Sequence, residues 1–420
     1  MDKQSVHNTV YNYTVPLILF LVPFNFVISN VLILLISANW LIEFDFKNKF
    51  SRILKSPYIL FCLALFILIC IELFFTHNVR SGIFSIEKKL SLLCFPLVIG
   101  TSVFFKEQQI KIRSYLFFYY GTLTAAVILI VIAFVNYFHL HDSSVFFYHD
   151  LVAPYKQHAV YFSVYIYVSL LFIYYNYYLL NRMKISHVLS ILFLSCFLIL
   201  LSSKLILIMF LAHAMFLVLK KLSGYKKNTY TYFILLIVIS VGSLIFLTKN
   251  PIKERFNDLS KGNVELLTQV DYNSNQYFNA WQLRLLLWKF SGEILTEKHK
   301  WLIGVTPGDA QDLLNQKIKD RGMYTGAPEK GDLGYLNHNC HNQYVETLFQ
   351  TGIIGLLLLL CIVIISIKKA WKEKDMTSFF VILLFAYFFI TESPLERMMG
   401  IIPLFIFLSI INLPHETKQS

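Results

Sequence analysis

The stretch NHNCHNQYVETLFQTGIIGLLLLL, residues 337–360, passes from a polar loop into an apolar helix within a few positions. His338, Cys340 and His341 stand at its head, and residues 356–360 are all leucine. Such a run begins a bilayer crossing, which needs ~20 predominantly apolar residues. The pattern recurs along most of the chain. Of 420 residues, 56% are hydrophobic and only 15% are charged, against about a quarter charged in an average soluble domain. The mean hydropathy is +0.59. The apolar runs are solid and not alternating, which indicates helices and excludes the strands of a membrane barrel.

The expectation is therefore an all-α polytopic membrane protein. About 12 transmembrane helices are read at 14–28, 29–44, 57–76, 89–105, 114–138, 158–178, 185–202, 204–219, 229–248, 341–366, 376–391 and 397–413. Residues 14–44 admit one long helix or a tight pair. Residues 185–219 admit one kinked helix or two spans broken at Ser202-Ser203-Lys204. The first run has no small-residue cleavage site and reads as a retained helix.

Lys and Arg gather on cytoplasmic loops. Here they cluster at Lys47, Lys49, Arg52 and Lys55; at Lys106, Lys111 and Arg113; at Arg182 and Lys184; at Lys220, Lys221, Lys226 and Lys227; and at Lys368, Lys369, Lys372 and Lys374. With twelve spans these clusters share one side with both termini. That asymmetry accounts for the net charge of +12, so no nucleic-acid partner is needed. The chain then divides into helices 1–9 at 1–248, one large outer loop at 249–340, and helices 10–12 with a cytoplasmic tail at 341–420. Of six cysteines, five fall inside spans and Cys340 falls at the outer surface, giving no disulfide framework.

A loop as long as 249–340 exceeds any simple connector. Within it, residues 274–298 place Tyr277, Trp281, Leu285, Trp288 and Ile294 at helical spacing. Aromatic residues favour the membrane interface, so this helix is expected along the outer leaflet. Thr306 and Pro307 can start a further short helix. Residues 320–337, rich in Gly and charge, read as a mobile loop and a candidate lid.

Ionisable residues at membrane depth are functional candidates. They collect at the outer ends of spans: Arg80, Lys88, His158, Lys204, Arg284, His341, Glu392 and Arg397. His341 opens a span, with Val345, Leu348, Gly352 and Gly355 on its face at helical spacing. The two glycines are expected to admit a neighbouring helix. A histidine there serves either as a general base or as an interface residue at a helix start. Asn342 beside it can orient the ring or a substrate hydroxyl. His338, Cys340 and His341 could be read as zinc ligands, but no matching acidic or cysteine partner stands elsewhere, so no metal is expected. Arg284 is either a diphosphate clamp or a snorkelling interface arginine. Lys204 is a lone cation between two apolar runs, suited to a phosphate. His158 starts a span, with a binding role and a helix-start role equally open. Glu392 and Arg397 read as a pair across a short turn, with one of them facing the cavity as the alternative, and Arg80 and Lys88 as weak candidates.

These residues resemble a known signature. His341-Asn342, followed by Gly352-x-x-Gly355, is similar to the signature of the O-antigen ligase and polymerase superfamily. Arg284-x-x-x-Trp288 followed by WLIGVTPGD at 301–309 resembles the family's arginine–tryptophan element and its Gly-Val-Gly turn, with Thr306 replacing the second glycine. LSSKLILI at 201–208 is similar to the family's Ser-Arg element, with Lys204 in place of arginine. The resemblance implies a GT-C-like fold and a glycosyltransferase that needs no cofactor. It implies a glycan donor carried on undecaprenyl diphosphate and an acceptor that is lipid A–core oligosaccharide or another carrier-linked glycan. It places the active site at the periplasmic face of the bacterial inner membrane. In that frame His341 is the base, and Arg284 and Lys204 hold the diphosphate; Asn342, His158, Arg80 and Arg397 are possible further contacts. One dominant outer loop favours a ligase over a polymerase. A non-catalytic glycolipid transporter is the other class, and it would show internal repeats and midplane polar groups, which the sequence lacks.

Overall fold

The computed structural model describes residues 3–24, 26–102, 107–222, 264–327, 329 and 331–413. The expected span at 229–248 and the first part of the outer loop lie outside the described residues, as do Lys106, Lys226 and Lys227. Among the described residues the regular elements are helices, and the bridge between Ala327 and Asp332 is isolated. Among the described residues, four helical stretches are long and apolar enough to cross a membrane: Pro57–Phe75, Gln109–Leu140, Ala159–Tyr178 and Gln343–Lys372. A fifth arises if Ile28–Ile42 and Phe46–Lys55, bent by 112°, count as one span.

The chain forms two compact units. Residues 1–117 and 262–420 make the first, and 118–261 the second. The helices of the first are α1 (Lys3–Leu21), α2 (Phe26–Ile42), α3 (Phe46–Lys55), α4 (Pro57–Glu72), α5 (Val79–Lys88), α6 (Leu90–Thr101) and the start of α7 (Glu107–Leu140). The second contains the rest of α7, α8 (Tyr148–Val152), α9 (Ala159–Ile173), α10 (Ile185–Leu200) and α11 (Lys204–Leu222). The first resumes with α12 (Ala280–Glu297), α13 (Ala310–Asp320), α14 (Gln343–Lys372), α15 (Met376–Phe388) and α16 (Met398–Ile411).

Both open readings resolve into pairs. Residues 14–44 contribute to two packed helices, α1 and α2, joined at their far ends by His7 Nδ1 and Asn39 Oδ1 at 2.8 Å and by Tyr11 donating to Glu43. Residues 185–219 form α10 and α11, interrupted at Ser202, whose φ of +51° ends the first helix. In the first unit α4 packs against α14 and α6, and α6 packs against α16.

The outer segment builds a small core of its own. A reciprocal cap starts α12: Asn279 Oδ1 accepts from the Gln282 backbone N–H at 3.1 Å, and Gln282 Oε1 accepts from the Asn279 backbone N–H at 3.0 Å. Leu283, Leu286, Leu287, Phe290 and Ile294 then face Leu314 and Ile318 of α13, together with Met323, Cys340 and Phe349. The buried stripe of α12 finds an apolar partner in α13 and shares Ile294 with the aromatic stripe, whose Trp288 packs against the same core, while Tyr277 is exposed before the helix begins. This core corrects one expectation: Cys340 is fully buried and not at the surface. Residues 320–337 are also cross-tied: Tyr324 donates to Asp332 Oδ2 at 2.7 Å, and Tyr335 N–H donates to the Tyr324 carbonyl at 3.0 Å.

The outer segment is joined to α14 by a backbone crossing. Val305 and Thr306 N–H donate to the carbonyls of Phe349 and Gln350 at 2.9 and 3.0 Å, and Ile353 N–H donates to Trp301 at 2.9 Å. The helix breaks to allow this: Gly352 has φ +66° and ψ −168°. A Cβ on Gly352 would sit 2.2 Å from the Leu302 carbonyl oxygen, and one on Gly304 (φ +71°) would sit 2.2 Å from that of Gln350. The glycine at 352 thus admits a loop backbone and not the expected neighbouring helix. Thr306, where the family pattern has glycine, keeps a left-handed φ of +76°. Its hydroxyl bonds Thr76 Oγ1 at 3.0 Å.

Gly304→Ala and Gly352→Ala are each expected to cost more than about 2 kcal/mol, as strain at a special backbone position does. Gly292→Ala, with open space around it inside α12, is expected to be neutral or stabilising by up to about 1 kcal/mol. Thermal unfolding of the purified variants in detergent checks the contrast, with the first two several degrees below wild type.

Candidate active site

Five backbone and amide bonds place the site. The Gln343 N–H at the first turn of α14 donates to the carbonyls of Phe389 and Glu392 at 2.7 and 3.1 Å. The Gln343 side-chain oxygen accepts from Leu395 N–H at 2.8 Å. Asn342 caps the helix by accepting from Tyr344 and Val345 N–H at 2.9 and 3.1 Å. The turn between α15 and α16 is thereby held against the start of α14. His341, just outside the cap, has φ +44° and turns its ring towards that turn. Sequence reading gave Asn342 an orienting role; the structure shows it as the cap of α14.

Glu392 is the centre of the arrangement. Its side chain is only 4% exposed. Oε1 lies 3.2 Å from Arg284 NH2, and Oε2 lies 3.6 Å from His341 Nδ1. The second distance is an electrostatic contact, longer than a hydrogen bond. His341 Nδ1 and Arg284 Nε are buried and have no hydrogen-bond partner. The carboxylate that sequence reading joins to Arg397 therefore faces Arg284 and His341. Buried charge has to be paired, and Glu392 meets that requirement with the two residues singled out for chemistry.

The spacing of Arg284 and Trp288 has a local reason. Four residues apart on α12, they share a face. Trp288 Nε1–H donates to the Cys340 carbonyl at 2.7 Å, which anchors the residue before His341. The Cys340 thiol lies 3.2 Å from Ser291 Oγ, and burial pushes it well above the usual thiol range.

A second polar layer lies behind. Cys340 N–H donates to Glu346 Oε2 at 2.8 Å, and Gln350 donates to Glu346 Oε1 at 2.6 Å. Lys89 is buried, reaches Gln350 Oε1 at 3.3 Å and pairs with Glu396 Oε1 at 2.7 Å. Burial raises the Glu396 carboxyl, and the Lys89 ammonium outweighs it, leaving a net lowering. Sequence reading singled out Lys88 and passed over Lys89, Glu346, Gln350 and Glu396. The signal was there: Glu346 and Gln350 are one turn apart in an otherwise apolar helix, which marks a buried polar face.

The remaining candidates are distributed as follows. Arg397 follows Glu396 and is half-buried, and Arg80 is exposed on α5. His338 packs near His341, with ring centroids 5.8 Å apart. Lys204 begins α11 in the second unit. His158, also in that unit, caps α9 through Nδ1, which accepts from Val160 N–H at 3.4 Å, and it meets His149 edge to face. That is its helix-start role. Among the described residues no group of three or more His, Cys, Asp or Glu side chains is arranged to hold a metal ion.

Residues 189–360 match the model of the O-antigen ligase family. These residues form a domain of that family. It includes Lys204, Arg284, Trp288, Gly304, Cys340, His341 and Gly352, whereas Glu392 and Arg397 lie beyond it. No curated protein matches the chain. The family is one of glycosyltransferase-like membrane enzymes, in keeping with the long apolar helices. Gly304 and Gly352, both inside the matched segment, are the glycines at the crossing of the outer segment with α14.

Burial, then the charges of His341 and Arg397, hold the His338 imidazole below its ordinary value. The unfolded chain therefore binds a proton there that the folded chain resists, so stability is full above about pH 6.5 and falls as acid is added below it. The Lys89–Glu396 pair acts lower, being lost as pH falls through a value under the ordinary carboxyl range. Unfolding between pH 7 and 5 is expected to show a falling Tm. His338→Gln is expected to flatten that fall while leaving the loss below pH 4.5 in place.

Proposed function

We propose that the protein is an O-antigen ligase of the bacterial inner membrane, moving a glycan from undecaprenyl diphosphate to lipid A–core oligosaccharide at the periplasmic face. The reading includes the twelve-span topology with cytoplasmic termini, which the distribution of basic loops supports. The observation that carries it is one buried carboxylate, Glu392, holding His341 and Arg284 together. Both residues belong to the ligase-family segment.

The chemistry is the metal-independent, inverting transfer that the family resemblance implies, with roles assigned by residue type. The acceptor hydroxyl oxygen attacks the anomeric carbon from the face opposite the leaving group, so the anomer inverts. The bond from that carbon to the diphosphate oxygen breaks, and the diphosphate leaves with the electron pair. His341 takes the hydroxyl proton. An imidazole with Nδ1 turned to Glu392 has Nε2 free for that task. The charge growing on the leaving group is met by Arg284, whose fork suits phosphate oxygens. A preorganised cation of this kind stabilises the transition state and does the work a metal ion does elsewhere.

A gel of surface glycolipid tests this. In a strain lacking the gene, bare lipid A–core with long glycans left on the carrier is expected. The wild-type gene restores capped core. His341→Ala does not, since removal of a general base costs about 10²–10⁴ in rate. Core bearing a single repeat would instead make the protein a polymerase, and an unchanged pattern would remove both readings and return attention to transport.

A further inference from the structure

Glu392 is tied to two groups that the proposed reaction needs free at different moments. Oε1 holds Arg284 at 3.2 Å, and Oε2 stands 3.6 Å from His341 Nδ1, a few tenths of an ångström beyond hydrogen-bond length. Arg284 is 28% exposed and reachable by a ligand, its Nε is buried with no hydrogen-bond partner, and Glu392 itself is closed off from water. An incoming diphosphate therefore competes with Glu392 for the guanidinium. The carboxylate cannot follow into solvent, and His341 stands within reach on its second oxygen.

Resting on the ligase reading, we propose that Glu392 is a positioning residue that couples donor binding to the base. In the resting protein it is shared and holds Arg284. When the diphosphate of a lipid-linked donor takes Arg284, Glu392 closes on His341 Nδ1. It then fixes the Nδ1–H tautomer, leaves the Nε2 lone pair towards the acceptor, and balances the imidazolium that forms as the proton is taken. The donor thus arms the base, and an acceptor arriving first meets a histidine not yet held. Coupling of this kind is reciprocal: whatever Glu392 gives to His341 on donor binding, it withholds from the donor beforehand.

Two readouts on the full-length protein in detergent test this, with farnesyl diphosphate as the probe. Calorimetric titration is expected to show that Glu392→Gln binds farnesyl diphosphate about fivefold tighter than wild type, at the low end of coupling between sites. A merely structural role predicts the opposite, because an unsupported Arg284 would bind less well. In protein labelled with [15N]histidine, the His341 Nδ1–H signal, assigned by its loss in His341→Ala, is expected to move downfield when the probe binds. Glu392→Gln is expected to abolish that movement, and Glu392→Asp to retain part of it. Weaker binding by Glu392→Gln, or a bound probe that leaves the His341 signal unmoved, would overturn the coupling and leave the ligase reading standing. A wild-type protein that does not bind the probe would remove the diphosphate-donor reading and the coupling with it.

Discussion

A carboxylate buried beside a membrane helix has to be neutralised by its neighbours, and Glu392 imposes that constraint on the arrangement around it. Its partners are Arg284 from α12 and His341 from the head of α14. Three separate stretches of chain must therefore meet at one point. The remaining features of the site serve that meeting. Gln343 ties the turn carrying Glu392 to α14, Asn342 starts that helix, and Trp288 anchors the Cys340 carbonyl one turn along from Arg284. The pair Lys89–Glu396 and the layer of Glu346 and Gln350 repeat the logic one level deeper, with each buried polar atom finding another.

The backbone crossing solves a different problem. A loop that packs its own core must still be fixed to a membrane helix, and a helix offers no free backbone donors in its interior. Breaking α14 at Gly352 frees such groups, and residues 301–306 use them. The two glycines are needed because both backbones approach within the space of a Cβ. The crossing lies at the C-terminal side of the helical turns that carry Glu346 and Gln350, so it fixes the outer segment against the helix that His341 heads. Thr306 shows that glycine is not the sole solution: its strained backbone is supported by a hydroxyl bond to Thr76.

Much of this was legible in the sequence, and the limits have physical causes. Helical class, the pairs at 14–44 and 185–219, and the candidates Arg284 and His341 follow from local periodicity and from the cost of ions near lipid. Partners are non-local, and there the reading fell short. Glu392 was noticed and joined to Arg397, five residues on, because nothing in sequence spacing points to Arg284, 108 positions away. Gly352 was matched to a helix, although its partner is a loop about fifty residues upstream. Lys89 was lost to its neighbour Lys88 because only the phase of α5 and α6 decides which of the two turns inward.

The account stands on His341 as the base of a lipid-linked glycosyl transfer. The measurement that tests it most directly is transfer in proteoliposomes containing purified protein, an undecaprenyl-diphosphate-linked glycan and lipid A–core, with chelator present. Wild-type protein is predicted to yield inverted product, and His341→Asn to yield none while binding donor and unfolding like wild type. Undiminished transfer by His341→Asn would contradict the account.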